Sequence, residues 1–559
     1  MFFNKRQRIL NTKHRMGKKT ISGNIVDVVL KTITKGIVTF ENGIITTIQP
    51  SDDVENQYII PGLVDAHIHI ESSMMLPAEF ARYSIVHGTV ACVCDPHEIA
   101  NVCGIEGVNY MIENGKQSPM KFYFGAPSCV PSTKFETSGA ELDAGEVEKL
   151  LQRDDIYFLA EMMNFPGVIN KNKQVHLKLQ AAHSAGKPVD GHAPDLSVED
   201  LIAYIAGGIS TDHECMTVQD AEAKIALGMK VQIREGSAAK NFDDLLSLLD
   251  HHAENIMFCS DDKHPDDLLK NGHINSLVRR AVAKGYDPVD VLRVCTLNPV
   301  SHYGLDVGLL QTGDSADFNI VTDLVNFELK STYIQGEKVS ENGKLTYPRY
   351  IPTKLINQFN AEKITEKQLR VIPKGVSLNV ILVDDGQLFT HSRKMKQKIE
   401  NGNVISDIEN DVLKIVVYNR YQPSDPAIGF IKNIGLKKGA LASTVSHDSH
   451  NIVSVGTSDK EIASAINQII ESKGGILACV NERTCLLPLP VGGTMSDVEG
   501  SIISQQYEEI DAMAKELGSK LKAPFMTLAF MSLLVIPKLK LSDKGLFNGS
   551  TFSFTDLME

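Results

Sequence analysis

Pro61-Gly62-Leu63-Val64-Asp65-Ala66-His67-Ile68-His69-Ile70-Glu71 is the stretch whose reading decides the fold. Ile59, Ile60, Leu63 and Val64 lead into it as an apolar, β-branched run, which predicts one buried strand over 59–64. Side chains alternate along a strand, so His67 and His69, at i and i+2, project to the same side. Two imidazoles held by one strand end grip a cation with little ordering left to do. Behind Asp65 and a Pro-Gly entry, they predict a metal site. The other ligands must then come from downstream.

Working outward, 60–300 alternates short apolar runs with amphipathic stretches. The runs fall at 90–94, 122–125, 157–160, 188–190, 208–210, 230–233 and 256–259. With 59–64 they make about eight βα units over roughly 240 residues, the size of a TIM (β/α)8 barrel. A barrel presents its working side chains at the carboxyl ends of its strands, so reactive residues are expected directly after each run. Glu161 follows 157–160, His192 follows 188–190, His213 follows 208–210 and Asp261 follows 256–259.

Four neutral imidazoles (His67, His69, His192, His213) and two carboxylates (Glu161, Asp261) form a borderline N/O donor set suited to Zn2+, Mn2+ or Fe2+. A carboxylate has two oxygens, so Glu161 is placed to bridge two cations. Two metals about 3.5–4 Å apart that share a hydroxide supply a nucleophile at neutral pH. Asp261 is placed to take that hydroxide's proton during attack and hand it to a leaving amine.

On either side of 60–300 the pattern differs. Residues 21–58 alternate β-rich runs around the turn Glu41-Asn42-Gly43, a hairpin signal, and a matching set lies at 305–345. Together they predict one small β-sandwich built from both ends of the barrel, which spans 59–304. From 350 to 559, runs at 413–418, 452–456 and 475–480 mix with helical stretches at 460–473 and 503–517, predicting a C-terminal α+β domain. The expected fold class is therefore α/β: a TIM barrel with a small flanking β-sandwich and a C-terminal α+β domain. Residues 1–20 are read as a basic, disordered extension, since the first nineteen carry seven Lys/Arg and no acid.

These features come with an array of local motifs: Ser72-Ser73-Met74-Met75, Asp95-Pro96-His97-Glu98-Ile99-Ala100-Asn101-Val102, Ala160-Glu161-Met162-Met163-Asn164, Gly191-His192-Ala193-Pro194, Asp212-His213-Glu214-Cys215, Ser260-Asp261-Asp262-Lys263-His264-Pro265, Val445-Ser446-His447-Asp448-Ser449-His450-Asn451 and Leu487-Pro488-Leu489-Pro490-Val491-Gly492-Gly493. In these motifs the chain resembles the amidohydrolase superfamily and, within it, the adenine deaminases, over about 20–559. The resemblance implies hydrolysis of adenine to hypoxanthine and ammonia at a centre of two divalent ions, Mn2+ or Fe2+. By position it implies His67, His69 and Asp261 on the first metal, His192 and His213 on the second, and Glu161 shared. Many binuclear relatives bridge with a carboxylated lysine on the fourth strand, where Glu161 stands here, so Glu161 is read either as the bridge or as a proton donor.

Attack at C6 develops negative charge at N1, and a carboxylic acid with a raised pKa would neutralise it. Glu161 and Glu214 are the candidates by position. His97 and Glu98 are expected to bind the ring edge or to orient a ligand histidine. Ser73 and His447 are further substrate-binding candidates. His447, Asp448 and His450 are read as a lid over the pocket, a further metal site or a solvated loop.

Bulk composition bounds the partners. The chain is 43% apolar and 22% charged, as soluble globular proteins are, and its net charge of −13 argues against a nucleic-acid or acidic-membrane surface. No apolar run reaches membrane-spanning length. Nine cysteines, mostly inside apolar runs, fit reduced, buried thiols in a cytoplasmic protein. A homo-oligomer, a dimer, is expected. The alternatives to a deaminase are a cyclic amidase of hydantoinase or dihydroorotase type and a non-catalytic scaffold that keeps the fold.

Overall fold

Side chains that alternate between apolar and polar build the first element, a mixed sheet of eight strands. The computed structural model describes residues 17–237 and 239–559, and most of the 1–20 extension lies outside the described residues. The first strand, Lys19–Asp27, begins within that stretch. The sheet runs in the order Lys344–Leu345, Glu337–Glu341, Leu329–Ile334, Phe318–Val321, Tyr58–Pro61, Lys19–Asp27, Thr32–Glu41 and Ile44–Pro50. Tyr58–Pro61 is the seam: it pairs in parallel with Asn24 and Ile25 and antiparallel with 318–321. The Asn42-Gly43 turn takes φ of 51° and 84°, which these two residue types tolerate best.

The expected sandwich is thus a single hydrogen-bonded sheet whose two arms share one core. Ile25, Val38, Phe40, Ile59, Phe318 and Tyr333 all lie in that core. Phe318 stacks on Tyr333 at 4.7 Å, and Phe40 meets both rings edge-on at 5.5 and 5.9 Å.

The predicted strand over 59–64 is two strands. Tyr58–Pro61 belongs to the flanking sheet, and Leu63–Ile68 starts a separate series. Proline cannot extend the ladder, and Gly62 is where the chain changes sheets. A Cβ at Gly62 would come within 2.4 Å of Val90 Cγ2, so only glycine fits there.

The described residues divide into two compact units. One gathers the flanking sheet with 84–91 and 274–348; the other holds Asp65–Tyr83, Cys92–His273 and Arg349–Glu559. Eight short strands follow one another in chain order: Leu63–Ile68, Thr89–Cys94, Lys121–Phe124, Leu159–Met162, Val189–Gly191, Thr211–Asp212, Lys230–Arg234 and Ile256–Cys259, the last six wholly within the second unit. The fourth and fifth pair in parallel, as do the sixth, seventh and eighth. Parallel bridges join Ala126 to Leu159 and Ile68 to Asp261, linking the last strand back to the first. Helices between the strands start at side-chain caps, such as Ser197 before Val198–Ile205 and Thr217 before Val218–Ala226. The fold is mixed α/β.

Two strands lie further on than their apolar runs predict. The fourth is Leu159–Met162 rather than 157–160, and its pairing with Val189–Gly191 begins at Leu159; Tyr157 meets Tyr123 edge-on at 4.7 Å. The sixth is Thr211–Asp212 rather than 208–210. Gly207 and Gly208 instead close the preceding helix, their N–H groups donating to Tyr204 and Ile205, with Gly208 at φ 85°.

The C-terminal segment forms a second eight-stranded sheet, running from Thr390–Lys396 and Ser377–Val383 through Ala427–Lys432, Val412–Tyr418, Ile452–Gly456 and Ala440–Ser443 to Gly475–Val480 and Arg483–Pro488. Helix Asp459–Ser472 lays Ile462, Ile466 and Ile469 onto it. Among the described residues no helix is long and apolar enough to cross a membrane.

The Gly62 turn makes a direct prediction. Gly62→Ala lowers the unfolding free energy by about 1–3 kcal/mol, and adding Val90→Ala restores part of that loss. A double-mutant cycle by chemical denaturation measures both.

Candidate active site

Short strands bring their ends close together, and buried polar ties fix which side chains meet there. Tyr204 Oη accepts from the His192 N–H at 2.9 Å and donates to the Met162 carbonyl at 2.7 Å, joining the fourth strand to the fifth. Asp212 accepts from the Ala193 N–H at 2.8 Å and from Lys224 Nζ at 2.9 Å, joining the fifth to the sixth. Asp65 Oδ1 accepts from the Ser260 N–H at 3.0 Å, and its Oδ2 accepts from Ser260 Oγ at 2.5 Å and lies 2.8 Å from His273 Nε2. That cluster joins the first strand to the eighth. Beside it, Asp261 takes φ 53°, a left-handed conformation in which its N–H donates to the His67 carbonyl at 3.0 Å.

All six residues expected to hold metal converge. His69 Nε2 lies 3.2 Å from His67 Nε2, 3.2 Å from Asp261 Oδ1 and 3.3 Å from Glu161 Oε1. His192 Nδ1 and His213 Nε2 lie 3.1 and 3.3 Å from the other oxygen, Glu161 Oε2. The His67 and His213 rings stack at 4.4 Å. His69 Nδ1 donates to the Asp95 carbonyl at 3.2 Å, which turns Nε2 inward. Glu161 stands inside the fourth strand rather than beyond it, so its backbone is fixed on both sides.

Donor atoms within 4.8 Å of one another form the groups His67–His213–Asp261, Glu161–His192–His213 and His69–Asp95–His97–Glu161, all buried. Imidazole nitrogens and carboxylate oxygens, dry and prearranged, fit divalent cations of the borderline type.

Burial alone would raise the carboxyl pKa of Glu161 and Asp261. The imidazoles beside Glu161 hold it well below the usual carboxylate range, and His67, His69 and Arg234 do the same for Asp261. Both Glu161 oxygens face imidazole nitrogens. At Glu214 the shift runs opposite to the raised pKa expected of a proton donor. Burial pushes that carboxyl up, but Arg234 beside it, with His192 and His213, lowers it far more. Arg234 Nη1 donates to Glu214 Oε1 at 2.5 Å and to Asp261 Oδ2 at 2.8 Å. Asp262 differs: burial and the Asp261 charge push its carboxyl up to about 6.

Opposite these groups stands a wall drawn from the C-terminal segment. Glu98 Oε1 meets His447 Nδ1 at 2.9 Å, and Glu98 Oε2 lies 3.3 Å from His450 Nε2. Burial works against charge on His447, yet Glu98 raises it to about 9. His97 lies 3.1 Å from Asp95 Oδ2, 3.6 Å from Glu161 Oε1 and 3.8 Å from Asp448 Oδ1. The His447, Asp448 and His450 segment is buried against the site, which removes the solvated-loop reading. His97, Glu98, His447 and Asp448 line a small cavity together with Asp262 and apolar side chains. Ser73 does not line it; its hydroxyl is tied to the Ile70 carbonyl at 2.6 Å, and it is Ser72 that reaches Asp262.

With this geometry in hand, the comparisons with known proteins are specific. The amidohydrolase family pattern matches residues 58–339, and the adenine deaminase C-terminal domain matches 387–553. An adenine deaminase of Methanosarcina mazei is 50% identical over 96% of this chain and 99% of its own. One of Salinibacter ruber is 49% identical over 96% of this chain and 98% of its own. The chain belongs to the adenine deaminase family. Among solved structures, a β-aspartyl dipeptidase of Fervidobacterium islandicum aligns with a TM-score of 0.46 at 15% identity, over 59% of this chain and all of its own. For an adenine deaminase, neither alternative class raised by the sequence, cyclic amidase or scaffold, gains support from these relatives.

Arg234 is the residue that sequence reasoning missed. It sits one position past the 230–233 run, where the same strand-end rule would have found it. Its guanidinium is buried between two carboxylates. Arg234→Met therefore destabilises the protein by about 3–5 kcal/mol, and adding Glu214→Gln recovers part of that loss, as thermal and denaturant unfolding will measure.

Proposed function

We propose that this protein hydrolyses adenine to hypoxanthine and ammonia, as the adenine deaminases it is half identical to do by name. The observation that carries the reading is that identity over nearly the whole chain, joined to a buried cluster in which every expected donor converges. The amidohydrolase pattern implies a divalent metal. We assign two ions, Mn2+ or Fe2+ with Zn2+ as a third choice, to His67, His69 and Asp261 on one side and His192 and His213 on the other, with Glu161 shared. Bound there, the ions would lower the pKa of water and supply a hydroxide nucleophile near neutral pH.

The remaining work falls to the chain. Adenine is a flat base with ring nitrogens and an exocyclic amine, and it enters a cavity with charged walls and an apolar roof. Asp261 Oδ1 takes the proton of the attacking water and delivers it to the exocyclic nitrogen, which leaves as ammonia. Arg234, held against Asp261 Oδ2, keeps that carboxylate ionised between turnovers. Glu98 and the His447 imidazolium it carries present an acceptor and a donor to the ring edge, and His97 orients Glu161 from the side.

The strand series is assigned as a (β/α)8 barrel over 59–304, flanked by the sheet of 21–58 and 305–345 and followed by the domain of 350–559. The place in metabolism is purine salvage in the cytoplasm, and the working form is a homodimer. None of these assignments calls for nucleic acid or a membrane.

Purified protein loaded with Mn2+ should convert adenine to hypoxanthine, read as the fall in adenine absorbance. Turnover of hydantoin instead of adenine would contradict the assignment. Asp261→Asn should lower kcat by about 10²–10⁴-fold, the range of a lost general base, and a variant with near-normal kcat would remove Asp261 from the proton path.

A further inference from the structure

The roof of the cavity is apolar and comes from two separate stretches of the C-terminal segment. Leu388 lies in the turn after strand Ser377–Val383, and Phe530 and Leu533 follow helix Pro524–Ala529. Phe530 lies flat on the His447 ring at 4.6 Å, with 10° between the planes. The same roof that closes the pocket therefore also sets the imidazolium facing the substrate.

Lys540 bonds to the backbone of both stretches of this roof and does not itself line the cavity. Its amine is fully buried and donates to the Leu388 carbonyl at 2.7 Å and to the Phe530 carbonyl at 2.9 Å. Among the described residues no carboxylate pairs with it. Burial pushes the amine down to about 7. An ammonium buried without an acid is costly, and an apolar side chain of equal length would fill the same space without that cost. What an apolar replacement would lack is the pair of hydrogen bonds that tie the two halves of the roof to one atom. Thr390 Oγ1, accepting from Leu539 N–H and donating to the Leu539 carbonyl at 2.8 Å, fixes only the far end of the 388–390 turn.

We propose that Lys540 is a positioning residue for substrate selection: by pinning Leu388 and Phe530 together it keeps the roof low enough to admit a bare purine base and to exclude one substituted at N9, the position of a ribose. Leu388, Phe530 and Leu533 offer only apolar surface to the cavity, so the pin acts on entry and fit rather than on the bond-breaking step. The cavity is small, so a shift of one apolar side chain decides what fits.

This inference rests on adenine being the substrate, and the test separates the two. Adenine and 9-methyladenine are compared on the Mn2+-loaded wild type, Lys540→Met and Lys540→Arg, with melting temperatures recorded. Wild type is expected to turn over adenine and to discriminate against 9-methyladenine by at least 100-fold in kcat/KM. Lys540→Met is expected to raise KM for adenine about tenfold or more with kcat within threefold, and to narrow the discrimination at least tenfold. Lys540→Arg, which keeps the donors, is expected to recover part of both. If Lys540→Met does not fold, Leu388→Ala and Leu533→Ala open the same roof without touching the lysine and should narrow the discrimination likewise. A folded Lys540→Met with wild-type KM and discrimination, or one losing kcat at constant KM, overturns the proposal, as does unchanged discrimination in both roof variants. A wild type that leaves adenine untouched overturns the substrate reading instead.

Discussion

Everything at this site depends on one constraint: Glu161 buries a carboxylate whose two oxygens must both be answered. One oxygen faces His69 and the other faces His192 and His213, all between 3.1 and 3.3 Å. A buried charge left unanswered is strongly destabilising, so four strand ends have to meet in register around this one group. The ties that enforce the register are themselves buried and polar: Tyr204 between the fourth and fifth strands, Asp212 with Lys224 between the fifth and sixth, and Asp65 with Ser260 between the first and eighth. Each acts on the position of a site residue while standing outside the cavity.

The same electrostatic logic extends outward. Asp261 and Glu214 are like charges that would repel in a dry interior, and Arg234 between them makes both tolerable. On the far wall Glu98 is answered by His447, which is covered in turn by Phe530. The C-terminal segment is therefore part of the cavity: without 447–450 and 530–533 the Glu98 carboxylate would have no partner and the pocket no roof.

Much of this was legible in the sequence, and the reasons are physical. His67 and His69 share a face because strand side chains alternate, and Glu161, His192, His213 and Asp261 were found because barrel-like strands carry chemistry at their ends. Strand frames were harder. Runs such as 157–160 are apolar on both sides of their true boundary, so pairing with the neighbouring strand, rather than pattern, sets where Leu159–Met162 begins. Gly62 hid a change of sheet inside one apolar run. Arg234 stands at the same kind of strand end, and only its burial between two carboxylates separates it from a solvated arginine. The roof was out of reach altogether: the contact between Glu98 and His447 spans most of the chain, and nothing local in Leu388, Phe530 or Leu533 marks them as pocket residues. Ser72 and Ser73 differ only in which way a short 3-10 turn points them: Ser73 turns back to the Ile70 carbonyl, and Ser72 reaches Asp262.

The central claim is that these side chains form one centre for two cations with Glu161 in common. Titrating metal-free protein with Mn2+, while following bound metal and adenine turnover together, tests it most directly. Activity that rises until two equivalents per chain are bound, and then stays level, is the predicted result. Full activity at a single equivalent would contradict the account.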